Sequence, residues 1–466
     1  MKRNVFISFL GTTDYVETIY QWEDKKESSP TRFIQEAILE RTAKTWTEKD
    51  AIYIFCTKKS YNVNWVDDGH KDRNGNILKR EGLDTRLKKL KQKENLKTVI
   101  DFTIVEEGFT ENDVWSIFET VYNKLNDNDQ IYFDITHAFR SIPLFASSLF
   151  NFAQYMKNVS VVSVNYGAFE KLLDKIPEGK KISDLHLNER IAPIVDMTNI
   201  VRLQELTETA VSITSFGRSP RTISENMKKL TGDQDKYTID MIIKAVSELD
   251  EFIQSNRRHG LRSGSYLERL EEVKKKYNKS ETIRQPVREI INKIKGKIED
   301  FGFERNNPNA NIIGAIKWSQ EFDMLAQAYT LGREYILTVL QEKYNELNPF
   351  KSEDQEENDR NYREFLSSVL TITDSKIKKN ELYDNFNKYP YQFFTLLNED
   401  IIKELRDAKA YPKLAEYRNI INHGKGNAQN DRNNGNTSYK TIKEIFEKSF
   451  YKCTEIILKY NNSCQI

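Results

Sequence analysis

Residues Gln130–Ser148 read QIYFDITHAFRSIPLFASS, and the fold turns on this stretch. Ile131, Tyr132 and Phe133 make an apolar, aromatic run of the kind found in a buried strand. Asp134, Thr136, His137, Arg140 and Ser141 follow at once, and then Pro143. Pro143 suits a first helical turn, and Leu144 to Tyr155 reads as the helix that follows. Strand, polar loop and helix in that order is how open α/β sheets offer ligand-binding groups at strand ends. Arg140 supplies a cation, Thr136 and Ser141 supply hydroxyls, and His137 an imidazole, donors suited to phosphates or a base edge. Singly, each has a structural alternative. Asp134 can cap a turn, Ser141 can be the helix N-cap, and His137 can be a hydrogen-bonding core histidine. As a cluster they predict a ligand site.

Working outward, residues 1–197 alternate between strand-like and helix-like segments. Strands are expected at Val5 to Leu10, Ala51 to Cys56, Thr98 to Val105, Ile131 to Asp134 and Val159 to Val164, with Pro193 to Met197 as an edge strand. Helical spacing occupies Thr31 to Trp46 and Val114 to Leu125. Asp67 to Gly75 reads as a flexible loop. The alternation predicts a Rossmann-like α/β unit with a mainly parallel sheet and helices on both faces. Gly11 to Thr13, Thr57, Asp134 to Ser141 and Tyr166 would then converge at the carboxyl ends of the strands. From Asn199 onward only helical periodicity remains, over Ile200 to Phe216, Thr238 to Gln254, Ile312 to Leu347 and Thr441 to Tyr460. Lys351 to Asn361 reads as an acidic, mobile loop. The expected division is an α/β unit over 1–197 and an all-α region over 198–466.

Composition narrows the function classes. The 466 residues are 38% hydrophobic and 30% charged, enough for two or three domains with sizeable cores. Lys+Arg 71 against Asp+Glu 70 argues against a large nonspecific nucleic-acid surface while leaving room for a local basic groove. Cys56, Cys453 and Cys464 have no CxxC spacing, which argues against a zinc site or disulfide framework and fits a reducing compartment. The opening MKRNVFISFLG is too short in its apolar run for a signal peptide, and no segment approaches the roughly 18 apolar residues of a membrane span. A cytoplasmic protein is expected.

A second constellation stands near the C-terminus, Tyr417-Arg418-Asn419-Ile420-Ile421-Asn422-His423-Gly424-Lys425-Gly426. On a helix, Arg418 and His423 lie somewhat more than one turn apart and can approach one groove. Gly424 and Gly426 would end that helix, leaving His423 near its C-terminus, where a protonated imidazole is favoured. The chemistry such a pair serves is RNA cleavage without a metal. The 2′-hydroxyl attacks its own phosphate, an imidazole moves protons, and a guanidinium stabilises the charged transition state. Two copies related by a two-fold axis would supply both acid and base. A chance Arg–His pair of structural meaning is the alternative, since about one such spacing is expected at random in a chain of this composition.

Together the two constellations resemble the CARF–HEPN ribonucleases of type III CRISPR antiviral systems, over nearly the whole chain. The first half is similar to the branch with a DxTHG-type motif, here Asp134-Ile135-Thr136-His137-Ala138 followed by Phe139-Arg140-Ser141-Ile142-Pro143. Phe6 to Thr13 and Asn165 to Glu170 fit the same branch. Ala138 replaces the motif's glycine, which makes the loop less permissive but removes no functional group. The resemblance implies that residues 1–197 are a CARF sensor domain that dimerises and binds cyclic oligoadenylate, leaning towards cyclic tetra-adenylate. Residues 198–466 would be a helical linker region and a HEPN domain cutting single-stranded RNA. It further implies that Gly11, Thr12, Thr13, Thr136, His137, Arg140 and Ser141 contact the ring, and that Arg418 and His423 are catalytic with Asn419 in support. No metal is implied for catalysis. The implied partners are the RNA, the ring and a second copy of the chain, as a homodimer or higher homo-oligomer, with no membrane and no stable DNA partner.

Two other readings stay open. One is a nucleotide-sensing regulator whose helical half binds DNA and cleaves nothing. The other is a sheet domain that degrades its own ring, with Thr12, Thr13 and His137 positioning a ribose hydroxyl. A dinucleotide-dependent oxidoreductase is disfavoured, because the first strand runs into Gly11-Thr12-Thr13 without a GxGxxG loop.

Overall fold

The computed structural model describes residues 2–72, 74–137, 142–176, 179–219, 233–277, 284–350, 354–378, 387–423 and 438–460, with backbone alone at 142–144, 233–238, 274–277, 378 and 423. The chain divides into two compact units, one running to Glu205 and the other beginning at Leu206.

The first unit is built on a seven-stranded sheet. Its strands are β1 (Asn4–Leu10), β2 (Ile19–Gln21), β3 (Ala51–Cys56), β4 (Val99–Ile104), β5 (Gln130–Asp134), β6 (Ser160–Gly167) and β7 (Ile191–Asp196), in the spatial order β2-β7-β6-β5-β1-β3-β4. All neighbours are parallel except β6 and β7. Successive side chains of a strand point to opposite faces, and in the central strands β1, β3 and β5 both faces are largely buried, while the edge strand β4 is partly exposed. Phe6, Leu10, Ile52, Ile54 and Cys56 pack on one side with helices α1 (Ile34–Thr42) and α2 (Leu83–Lys93). Val5, Ile7, Phe9, Ile131 and Phe133 pack on the other with α3 (Glu111–Asn123) and α4 (Ile142–Lys157). The result is a three-layer α/β/α unit with two cores, the architecture the alternating pattern predicts.

Three local readings need correcting. The three-residue β2 is too short to show alternation, and it was missed. The loop read as flexible between Asp67 and Gly75 is held by side chains. Asp67 accepts from Gly82 N (2.7 Å), Asp68 from Arg80 N (2.8 Å), and Asp72 from Asn74 N (2.8 Å). The last strand spans Ile191–Asp196 rather than Pro193 to Met197, and it is not at the edge, because β2 pairs along its outer side.

Helix α5 (Thr198–Phe216) straddles the division. The second unit is helical throughout its described residues. It comprises α6 (Asp233–Gln254), α7 (Arg258–Ser263), α8 (Ser265–Tyr277), α9 (Gln285–Glu299), α10 (Pro308–Glu321), α11 (Leu325–Lys343), α12 (Gln355–Thr371), α13 (Asp374–Lys378), α14 (Pro390–Asn398), α15 (Asp400–Asp407), α16 (Ala410–His423) and α17 (Tyr439–Tyr460). The run expected as one helix from Ile312 to Leu347 is two. Phe322 ends α10, Asp323 takes a positive φ of 55°, and Met324 N donates back to Ser319 O at 2.7 Å. The acidic stretch read as a mobile loop contains the start of α12. Asp354 caps it by accepting from Glu356 N and Glu357 N, and the acidic first turn suits the helix dipole. Apolar anchoring begins only at Tyr362, so no periodicity marked that turn.

Helix α11 is the axis of this unit, with Tyr329, Ile336, Leu337 and Leu340 fully buried. A polar seam runs beside it. Glu334 is flanked by the guanidiniums of Arg333 and Arg363, and Arg363 Nη1 also donates to Thr338 Oγ1 (2.9 Å). Arg333 Nη2 and Tyr411 Oη both donate to Ser367 Oγ, at 3.2 and 3.0 Å. Eleven residues beyond Tyr411, near the other end of α16, a second tie forms where Asn422 Nδ2 donates to Thr330 Oγ1 (3.2 Å).

Candidate functional site

Strand β1 is flanked by β5 on one side and β3 on the other, so the chain reverses its direction of sheet building between β1 and β5. A crevice forms outside the carboxyl ends of strands at such a point. The loops after β1 and β5 meet there. A Cβ on Gly11 would lie 3.4 Å from His137 Cβ and would collide with the Tyr15 hydroxyl, so any larger residue must displace the Tyr15 ring.

Asp134, at the end of β5, is completely buried. It accepts from Ser8 Oγ (2.7 Å), Thr136 Oγ1 (2.6 Å) and Thr136 N (3.0 Å). Burial raises its pKa, and the hydrogen bonds from Thr136 and Ser8 offset that only in part. Thr136 Oγ1 in turn accepts from Gly167 N (2.8 Å), which ties the β5 loop to the end of β6. Asp134 and the Thr136 hydroxyl therefore shape the loop from beneath.

His137 lies against the Tyr15 ring with centroids 4.2 Å apart. Its Nε2 is buried with no hydrogen-bond partner among the described residues. Burial disfavours the imidazolium and pulls the pKa down to about 4, so the ring is neutral at pH 7. Thr12 and Thr13 are exposed above this layer. Lys58 and Lys59, after Thr57 at the end of β3, are exposed as well. Arg140 and Ser141 lie outside the described residues.

The second constellation sits on α16, whose last residue is His423. Arg418 is half-buried; its Nη1 donates to Asn419 Oδ1 (3.1 Å), and its buried Nε has no partner among the described residues. Tyr417 stacks on Tyr329 of α11 at 6.2 Å. Five residues of helix put Arg418 and His423 about 7.5 Å apart along the axis. Gly424 and Gly426 lie outside the described residues. Among the described residues, no three His, Cys, Asp or Glu side chains are grouped to hold a metal ion, and no helix is long and apolar enough to cross a membrane.

Residues 5–170 match the family model for the CARF domain of the CRISPR system endoribonuclease Csx1. Over those residues the chain is similar to the Csx1 CARF domain. Over 252 residues it is also 29% identical to the CRISPR-associated protein MJ1674 of Methanocaldococcus jannaschii, across 52% of this chain and 34% of that protein. The chain thus spans about a third of the length of that curated relative.

The CARF crevice contains residues that sequence reasoning missed. Asn64 is buried, and its Nδ2 donates to both Gly11 O and Thr13 O at 2.9 Å, while its Oδ1 faces His70 Nε2 at 2.9 Å. Arg32 Nε donates to Tyr15 O (2.9 Å), and Asp14 pairs with both Arg32 and Arg80. Gln35 Nε2 donates to Ser8 Oγ (3.0 Å) beneath Asp134. Asn64 lies in a π-helical turn, Tyr61–Trp65, a feature frequent at functional sites. Nothing local in YNVNW announces that its second asparagine holds a loop some fifty residues earlier.

Proposed function

We propose that this protein is a cyclic-oligoadenylate-activated, metal-independent endoribonuclease that cuts single-stranded RNA in type III CRISPR antiviral defence. The observation that carries the reading is the match of residues 5–170 to the Csx1 CARF domain, with the β1–β5 crevice as its ligand site. In this reading residues 1–197 are the sensor, and 198–466 are the helical linker region and HEPN ribonuclease. Thr12 and Thr13 offer hydroxyls and Gly11 close backbone approach to the ring, with His137, Arg140 and Ser141 completing the contacts and Thr136, whose hydroxyl is held by Asp134 and Gly167, contributing through the loop it shapes. A neutral His137 donates one hydrogen bond and accepts another, which suits an adenine edge or a ribose hydroxyl better than a phosphate.

A symmetric ring suits a site made by two copies, so the working form is a homodimer or a higher oligomer of it, acting in the cytoplasm. Ring binding favours one arrangement of the dimer and so alters the groove holding Arg418, Asn419 and His423. There the imidazole of His423 moves the proton of the 2′-hydroxyl, Arg418 stabilises the charge developing on phosphorus oxygens, and Asn419 orients the guanidinium.

The test is cleavage of a fluorescent single-stranded RNA in EDTA with cyclic tetra-adenylate, cyclic hexa-adenylate or neither. Cleavage dependent on one ring supports the reading and identifies the activator. Tight ring binding without cleavage would turn it towards a regulator or a ring-degrading protein.

A further inference from the structure

The second unit holds a cleft of about 430 Å³ between α7, α11 and the start of α12. Every residue named in its lining is polar or charged, so it offers hydrogen-bonding groups on all sides beside the apolar stems of those residues. Arg258 and Arg262, one helical turn apart on α7, reach into it from the same side. Arg258 Nη1 donates to Thr338 Oγ1 (3.2 Å) and its Nη2 to Asp359 Oδ2 (2.8 Å), while Arg262 Nη2 donates to Glu342 Oε1 (2.8 Å). His259 beside them is exposed. On the facing wall, Gln341 Nε2 donates to Asp359 Oδ1 (2.6 Å) and its Oε1 accepts from Arg363 Nη1 (3.3 Å), with Asn345 beside them.

We infer that this cleft binds a nucleoside phosphate, either one unit of an RNA strand or a free nucleotide. Two guanidiniums with a histidine form the donor set that takes phosphate oxygens, Arg presenting paired N–H groups in a fixed fork. The amides of Gln341 and Asn345 and the Asp359 carboxylate on the opposite wall form a mixed donor–acceptor set of the kind that reads a base edge, once Gln341 and Asp359 exchange the bonds they now make with each other, Arg363 and Arg258. The volume falls in the range of small-ligand sites. The Arg262–Glu342 pair, whose carboxylate is exposed, is weak enough in water for an incoming phosphate to exchange with it, whereas the more buried Arg258–Asp359 pair stays in place and holds the wall. The cleft also joins the polar seam. Thr338 accepts from both Arg258 and Arg363, and the seam continues through Glu334, Arg333 and Ser367 to Tyr411 on α16. An occupant is thereby linked to the helix bearing Arg418.

This inference rests on the second unit being the RNA-acting half, and the experiment separates the two. Fluorescence polarisation follows a labelled 2′-O-methyl RNA hexamer, which cannot attack its own phosphate, binding to the full chain with adenosine 5′-monophosphate as competitor. Arg262→Ala should weaken binding about 5- to 10-fold. Glu342→Gln, which frees Arg262, should tighten it about 2- to 3-fold. Melting temperatures of both variants should stay near wild type. Competition by the mononucleotide at low concentration identifies a free nucleotide as the occupant, and its failure to compete identifies a strand. Binding of neither probe, or equal affinity in all three proteins, overturns the cleft assignment whatever the ribonuclease assay gives. Shifted affinities in a protein that never cleaves RNA would leave the cleft standing and remove the ribonuclease reading.

Discussion

Asn64→Ala is the most informative single change in the CARF crevice. The wild-type amide donates to Gly11 O and Thr13 O and accepts or is faced by His70, so three hydrogen bonds go at once. At about 1 kcal/mol net for each, and with the carbonyls partly able to recover water, the cost is about 2–3 kcal/mol. That loss falls on the loop Gly11–Thr13, which carries three of the proposed ring contacts. Asn64→Asp should be worse than alanine, because a carboxylate would then face two carbonyl oxygens. Chemical denaturation of the full chain measures the stability loss. Isothermal titration with the activating ring measures the binding loss, expected at tenfold or more, since each 1.4 kcal/mol is tenfold in Kd. Unchanged ring affinity in Asn64→Ala, with the stability loss present, would refute the placing of the ring on this loop. Unchanged stability would refute the hydrogen-bond reasoning itself.

Further outcomes are expected at neighbouring positions. Gly11→Ala should destabilise the CARF domain by about 1–3 kcal/mol through collision with Tyr15, and Tyr15→Phe should recover part of the loss in a thermal melt of the double variant. His137 has its pKa depressed to about 4, so between about pH 6.5 and 4 the unfolded chain binds a proton that the fold refuses. Stability should fall with pH across that window by at most about 3 kcal/mol. Asp134, with its pKa raised, contributes stability below its folded pKa and loses it as pH rises, the opposite sense, so wild type is compared with His137→Gln at each pH, and equal slopes would discount the buried neutral imidazole. His423→Ala should abolish RNA cleavage and leave ring binding intact, whereas Arg140→Ala should raise the ring concentration needed for half-maximal cleavage.

Legibility in the sequence followed the physics of each segment. Strands buried on both faces, such as NVFISFL and QIYFD, announce themselves as apolar runs, and the turn residues Gly11 and Asp134 mark where they stop. The crevice was therefore visible, because its position follows from strand order. Its support was not. Asn64, Arg32 and Gln35 reach the loops from other elements through contacts that no spacing rule encodes. In the helical half, long amphipathic segments such as α17 were legible. The break at Asp323 was not, because a left-handed aspartate leaves no glycine in the sequence to mark it.

The two ties on α16 have a mechanical consequence. Asn422 fastens one end of that helix to α11, and Tyr411 fastens the other to Ser367 of α12 and so to Arg333. A slip of one turn, about 5.4 Å, would break both ties together and leave Ser367 and Thr330 without their partners on α16. A single helix sliding like a bolt is thus the costly route. The ties instead favour α11, α12 and α16 keeping one register, so that Arg418 holds its place relative to α11.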